Sequence, residues 1–576
     1  MSKTLIFRAF GFALAFIFLT SCLAAAQIAA MPGVPASVPF LVHLSMTPAH
    51  QAELSRLIDD LKKDKDFEKH LSDFKKKTGA EFPDKMLENI KKLKSFTMAV
   101  FLNTSNLGQQ PDVLLCTEFG DENSAKEFNA LFKEILVSAS KAHSRDMIFT
   151  DKNEGVLKTS TPSFKGGDKD NVFKLFEPRF IEYMNFSGLF IYQKYDTAKS
   201  DKILKSVADA FKSGATVFTN KQIKADFDKI AADANLFFYF DGAIYRQGAI
   251  ESGHKEESEY VSSIALSALI GADFSDIKSR WIINLRDIKD KATQGKSNFI
   301  KNLISGESKS AHISEILPAD TAAFFSLKLA LGEKFLKFAK PMIDEAKPTV
   351  AMMFGLSVEE DLFSWMNGEI FGANLAGTSE FYIGFGSKNQ ENAWKFFDKF
   401  SKVLKIAGAP FDFKDDNFSG IKVKTSAAAG MEKYVKDFLV TIGHTKDHLV
   451  IASSKSAFEK IAASAANKQS SLSAGEEFKK ITEWPASSFM SVYMDFDKFK
   501  LSVSDLAAKN SAEFKGQDLN KFLKTYAMHA ECDSKTITGN ASIKAVPIKF
   551  VLDVLNQISG SAQLKEAVES VKGRIK

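Results

Sequence analysis

The apolar residues of this chain follow two rhythms. Alternating or continuous apolar runs bounded by turn-forming residues predict strands at about 38–46, 96–103, 112–119, 186–194, 237–245 and 281–285. Between them, apolar positions three and four apart on a background of Lys, Asp and Glu predict amphipathic helices at about 48–77, 83–93, 198–212 and 220–232. Strands joined by short turns pair antiparallel, and helices grouped between hairpins predict an α+β fold rather than a wound parallel sheet.

The same rhythm is written twice. A Pro-Ala-Ser turn at Pro35–Ser37 leads into an apolar strand, and Pro318, Ala319 and Asp320 repeat it. After a strand ending in Phe119, the positions Ala125, Phe128, Phe132, Ile135 and Leu136 follow the spacing of one helix face. After a strand ending in Phe385, the positions Ala393, Phe396, Phe400, Val403 and Leu404 repeat that spacing at a constant offset. A third pair runs from Phe227–Ile230 and the strand ending at Asp241 to Phe478–Ile481 and the strand ending at Asp495. Matching order and spacing predict two tandem homologous modules of roughly 250 to 280 residues, each an antiparallel β-sheet with long amphipathic helices. The expected boundaries are 34–291 and 315–576. A polar linker at 292–314, with a helix near 298–304, joins them.

What precedes the first module is of another kind. Lys3 and Arg8 lead into an uninterrupted apolar run, Ala9 to Leu19, of the length of a secretory signal core and short for a membrane span. The run ends in Leu19, Thr20, Ser21 and Cys22, which resembles the bacterial lipobox, where cleavage falls before a lipid-modified cysteine. Residues 1–21 are therefore read as a lipoprotein-type signal, Cys22 as the lipidation site and 22–33 as an apolar tether. Two other readings stay open: cleavage after the small residues Ala24–Ala26, and retention of 9–30 as a signal anchor. All three export the chain. Leu23 rather than Asp after Cys22 favours, by resemblance to sorted lipoproteins, the outer membrane where the organism has two membranes; the expected location is the cell envelope, at the outer membrane or the periplasmic face of a membrane.

Charge and composition narrow the partners. The 76 basic residues, less Lys3 and Arg8, leave a net charge of about +3 against 71 acidic ones, and the lysines are interspersed with acids as on solvated helix faces. This excludes a nucleic-acid-binding surface of the usual basic kind. The three cysteines are too few for a disulfide framework. With Cys22 lipidated, Cys116 and Cys532, both in strand-like runs, are expected to be buried thiols. Phenylalanine dominates the aromatics, with 53 Phe against 10 Tyr and 4 Trp. Core filling accounts for this, and an apolar cavity for a lipid or other greasy ligand is the alternative.

Candidate chemistry is sparse. His444 and His448 have helical metal-ligand spacing, but the apolar runs at 438–443 and 449–452 make the segment a hairpin turn with exposed histidines. Gly295, Lys296 and Ser297 echo the end of a phosphate loop, yet Asp290 stands where its first glycine belongs. Asp241 and Asp495 end equivalent strands and suit turn or cap roles. No catalytic, cofactor or metal residues are assigned.

The Leu317–Thr321 turn into a strand, the Ser471–Ser473 and Phe478 helix start, and the strand ending at Asp495 resemble the bacterial envelope family known as domain of unknown function 3352. That resemblance implies signal-bearing or membrane-anchored proteins without an assigned activity. The sequence is thus read as a non-catalytic, membrane-tethered envelope lipoprotein that binds or scaffolds. The alternative is a carrier or chaperone for lipid or another apolar ligand in a Phe-lined cavity.

Overall fold

The computed structural model describes most of residues 33–101, 112–166, 176–242, 261–285, 313–331, 355–499 and 523–545. These fall into two compact units, one reaching Ile283 and one from Asn284 to Ala545. The expected signal segment, Cys22, most of the linker, its helix near 298–304 and the Gly295–Ser297 stretch lie outside the described residues.

Unit 1 begins with strand β1 (Phe40–Ser45), helices α1 (Pro48–Leu61) and α2 (Asp84–Ile90), and strands β2 (Leu93–Phe101) and β3 (Asp112–Phe119). Helix α3 (Glu122–Ala142) leads to four strands, β4 (Met147–Glu154), β5 (Leu157–Phe164), β6 (Phe176–Tyr183) and β7 (Phe186–Gln193). Helices α4 (Thr197–Ser213) and α5 (Lys221–Ile230) precede β8 (Leu236–Asp241), β9 (Val261–Ile270) and β10 (Asp276–Leu285). Pairing is antiparallel wherever its register is resolved, and the strand order is β4-β5-β6-β7-β3-β2-β1-β8-β9-β10.

Because side chains alternate across a sheet, successive residues feed two cores. Leu44, Phe96, Leu115 and Leu189 face α1, α2 and α3, whose Leu54, Leu57, Met86, Ile90, Phe128 and Phe132 close that side. Leu41, Ala99, Leu114, Phe190 and Tyr239 face the other way, under Leu204, Val207, Phe211, Ile223 and Ile230 of α4 and α5. Capping fits these helices to their turns: the Asn220 side chain accepts from the N–H groups of Gln222 and Ile223 at the start of α5, and Thr47 caps α1. The helix expected over 48–77 is broken by a turn at 62–63 after α1, with residues 67–68, 71–72 and 75–76 helical beyond it, and the one expected to reach 93 ends at Ile90, because Leu93 already pairs with Phe119.

Unit 2 contains β11 (Thr321–Lys328), a π-helical turn (Val358–Phe363), β12 (Met366–Leu375), β13 (Phe381–Ser387) and α6 (Gln390–Ile406). It continues through β14 (Lys414–Phe418), β15 (Ile421–Ala427), β16 (Leu439–Thr445), β17 (His448–Ala452), α7 (Lys455–Ala466) and α8 (Glu476–Ile481). It closes with β18 (Met490–Asp495), β19 (Leu523–Cys532) and β20 (Thr536–Ala545). The strand order is β14-β15-β16-β17-β13-β12-β11-β18-β19-β20, again antiparallel. One face packs Phe324, Phe371, Tyr382, Val450 and Tyr493 under Phe458, Ile461 and Phe478 of α7 and α8. The other packs Trp365, Val440, Ile442 and Leu449 under Ala393 and Phe397 of α6.

The two helices matched by sequence differ in what they bury. All five of the matched positions on α3 are core residues, whereas on α6 the buried residues are Ala393 and Phe397, with Phe400 exposed. The buried stripe of α6 therefore runs through Ala393 and Phe397, with Phe396 half-buried against Trp365 at its side.

Candidate functional site

Apolar side chains fill both faces of each sheet, so a polar group held inside one stands out. The densest set lies at one end of the unit 2 sheet, on the face beneath α7 and α8. It starts from a glycine: Gly368 has φ +90°, and a Cβ there would sit 1.9 Å from the Leu329 carbonyl oxygen, so no other residue fits without a backbone shift. The β12–β13 register slips between Met366 and Ile370 at this point, a β-bulge.

Glu369 pairs in register with Lys328 of β11. Its Oε2 lies 3.0 Å from Nε2 of His448 on β17, both side chains being essentially unexposed. The two strands are not neighbours, since β13 runs between them, and Gly386 is the β13 residue beside His448. A Cβ on Gly386 would come within 2.0 Å of Asn367 Oδ1, the atom that accepts from Lys328 Nζ at 3.0 Å and from the Glu369 N–H at 2.9 Å. Burial pulls the Lys328 ammonium below its usual pKa, with nearby Glu369 opposing the shift. Thr445, the register partner of His448 on β16, completes the row. Glu369 Oε1, His448 Nδ1 and Thr445 Oγ1 have no hydrogen-bond partner.

The predicted hairpin around His444 and His448 is present, turning at Lys446 with φ 50°. The exposed histidines are not. His444 and His448 are buried, because the strands run on to the turn and the helices reach over them. They also point to opposite faces: His444 pairs with Leu449 in the α6 core, and His448 pairs with Thr445 on the other side. His444 lies against Trp394 with ring centroids 6.0 Å apart, and burial beside His448 lowers its pKa to about 4. Among the described residues no group of three or more His, Cys, Asp or Glu is placed to hold a metal ion.

The other sequence candidates resolve more simply. Asp495 caps the chain after β18, its Oδ1 accepting from the Lys498 N–H at 3.0 Å. Asp241 is half-buried at the equivalent end of β8. Cys116 is a buried thiol, pushed up to about 12 by burial and by Glu118. Cys532 departs from expectation: at the last position of β19 it is half-exposed. Iodoacetamide is therefore expected to label Cys532 in the native protein and Cys116 only after unfolding, as read by peptide mass spectrometry.

A small Phe-rich void is present among the described residues. Phe96, Leu115, Phe128, Phe132, Phe180 and Leu189 line a cavity of about 40 Å³ between α3 and the unit 1 sheet. That is room for one water molecule, far below the roughly 300 Å³ at which ligand pockets begin. Glu369 and the row around it carried no sequence signal beyond Gly368 and Glu369 interrupting an apolar strand.

The profile of a family described as "Protein of unknown function (DUF3352)" matches residues 4–380, well over half of the chain. The chain belongs to this family. The part that matches DUF3352 takes in Leu317–Thr321 and stops before Ser471, Phe478 and Asp495. No curated protein matches this DUF3352 chain. Two solved structures, "Structure of crystal form III of TP0453" and "Structure of crystal form I of TP0453", are similar at 9% identity. They cover 49% of this chain and 91% and 90% of theirs, with TM-scores of 0.23 and 0.22, too low to carry an argument. Among the described residues of the DUF3352 protein no helix is long and apolar enough to cross a membrane.

Proposed function

We propose that the protein is an exported lipoprotein of the bacterial envelope, tethered through lipid on Cys22, that displays two copies of one α+β module for non-catalytic binding or scaffolding. The observation that carries the copy reading is the strand order, which is the same in both units position for position. Register sharpens it. A buried row Leu41, Ala99, Leu114, Phe190, Tyr239 and Ala265 crosses unit 1, and Phe324, Ala373, Tyr382, Ala452, Tyr493 and Ala527 cross unit 2 in the same strand places. Even the positive-φ turn residues agree, Met184 at 49° before β7 and Lys446 at 50° before β17.

The export and lipid readings rest on the Ala9–Leu19 run and Cys22. Among the described residues, apolar packing on both faces of each sheet and the small size of the Phe-rich void support the scaffold reading over the carrier. Native mass spectrometry of protein extracted in mild detergent tests the choice. The expected mass is that of the chain from Cys22 with its covalent acyl groups, unchanged on denaturation. Release of a lipid on denaturation would instead select the carrier.

A further inference from the structure

Every buried side-chain nitrogen or oxygen without a hydrogen-bond partner among the described residues lies between Ser364 and Thr525, in unit 2. Buried polar groups are almost always satisfied, so a set confined to one of two units with the same strand order calls for a cause.

Position by position, unit 1 is closed where unit 2 is not. Ser45 and Ser95 form the register pair that Lys328 and Glu369 form in unit 2, and Phe186 holds the place of His448. The carboxylate of unit 1 sits one strand over, on Glu118, and accepts from Ser95 at 3.0 Å and from Asn185 at 3.2 Å. Gly386 replaces it in unit 2, and the Glu369 carboxylate keeps one oxygen unpartnered. Glu182 of β6 is held by Asn129 at 2.6 Å and Lys133 at 3.2 Å from α3, while at the matching place on β16 neither His444 nitrogen is bonded. Leu114 and Phe119 are apolar, and Tyr382 and Ser387 stand there with unpartnered hydroxyls.

We infer that unit 2 is built to open locally. The start of β12, the end of β13 and the β16–β17 hairpin separate and rehydrate these groups while unit 1 stays closed. An unpaired buried polar group costs its desolvation energy until water reaches it, so opening is least costly where such groups cluster, and elements that bind or switch are drawn from the least stable parts of a fold. The choice of matched residues rests on the copy reading; the opening itself does not.

Hydrogen exchange of the full-length lipoprotein, read by mass spectrometry, tests both parts. Peptides from β12, β13, β16 and β17 are expected to exchange on the order of 100-fold faster than those from β2, β3, β6 and β7. Equal or slower exchange overturns the opening. Installing the unit 1 residues together, Lys328→Ser, Glu369→Ser and His448→Phe, is expected to slow the unit 2 peptides about ten-fold. Fast wild-type exchange that ignores this swap overturns the residue matching and leaves the opening standing. Where the triple variant fails to fold, Tyr382→Leu is the second variant, with slowing again expected and unchanged exchange counting against the matching.

Discussion

Replacing Glu369 with alanine is expected to destabilise unit 2 by about 3 kcal/mol, which removes much of the stability of a domain of this size. The loss strands His448 Nε2, now bonded to Glu369 at 3.0 Å in a fully buried setting, and takes from the half-buried Lys328 the one charge that offsets its desolvation. The direction depends on changing one partner alone. Substituting the whole row with the residues of unit 1 removes Glu369 together with its partners and strands none of them, so the loss is expected to be smaller than for Glu369→Ala alone. Urea unfolding followed by tryptophan fluorescence in a Trp281→Phe background, where the remaining tryptophans all belong to unit 2 and include buried Trp365, measures both. A Glu369→Ala variant within about 0.5 kcal/mol of wild type would show that the pair is not held as described.

Unit 1 is expected to lose stability as pH falls, through His43. The imidazole is buried on β1, bonded to Thr97 Oγ1 at 2.7 Å with Phe237 as its other register neighbour, and burial lowers its pKa from 6.5 to about 3. The folded state thus keeps His43 neutral through a window in which the unfolded chain takes up a proton. Stability is full above pH 6.5 and declines progressively as pH falls towards 3, by a few kcal/mol in all. The buried imidazole of His444 acts in the same direction on unit 2, down to about pH 4. The His43→Gln variant is expected to flatten the unit 1 dependence across this window when urea midpoints are compared from pH 7 to pH 4. An undiminished slope in the variant would assign it to other groups.

Much of the frame was legible because burial and period coincide in it. The strands β1, β2, β3, β7 and β8 are apolar runs between turns, and α4 and α5 show a single apolar stripe. The β4–β5 hairpin was not legible. From Thr150 to Asn153 the chain is polar and exposed on an edge strand, so alternation carries no hydrophobic signal there. Strands β6 and β9 were missed as well, and β9, with Ser262, Ser263 and Ser267 among its residues, has a weak apolar alternation.

The candidate site was harder for a different reason. The spacing of His444 and His448 gave the hairpin, and a two-residue turn gives the opposite faces, but only tertiary packing decides that the turn is covered. Glu369 meets His448 across a β13 position held by a glycine, a contact that spans 79 positions in sequence. No local pattern encodes such a meeting. The same limit explains α6: periodicity placed an apolar face on it, and the packing buries Phe397 fully while Phe396 is half-buried against Trp365.

The proposal that this chain is tethered by lipid rests on Cys22. Cys22→Ser, expressed in cells grown with a labelled fatty acid and compared with wild type in membrane and soluble fractions, tests it at that residue. The wild-type protein is expected to carry the label and sediment with membranes, and the variant to lose both. Membrane retention of an unlabelled wild-type protein, or of the variant, would contradict the lipid tether and select the signal-anchor reading.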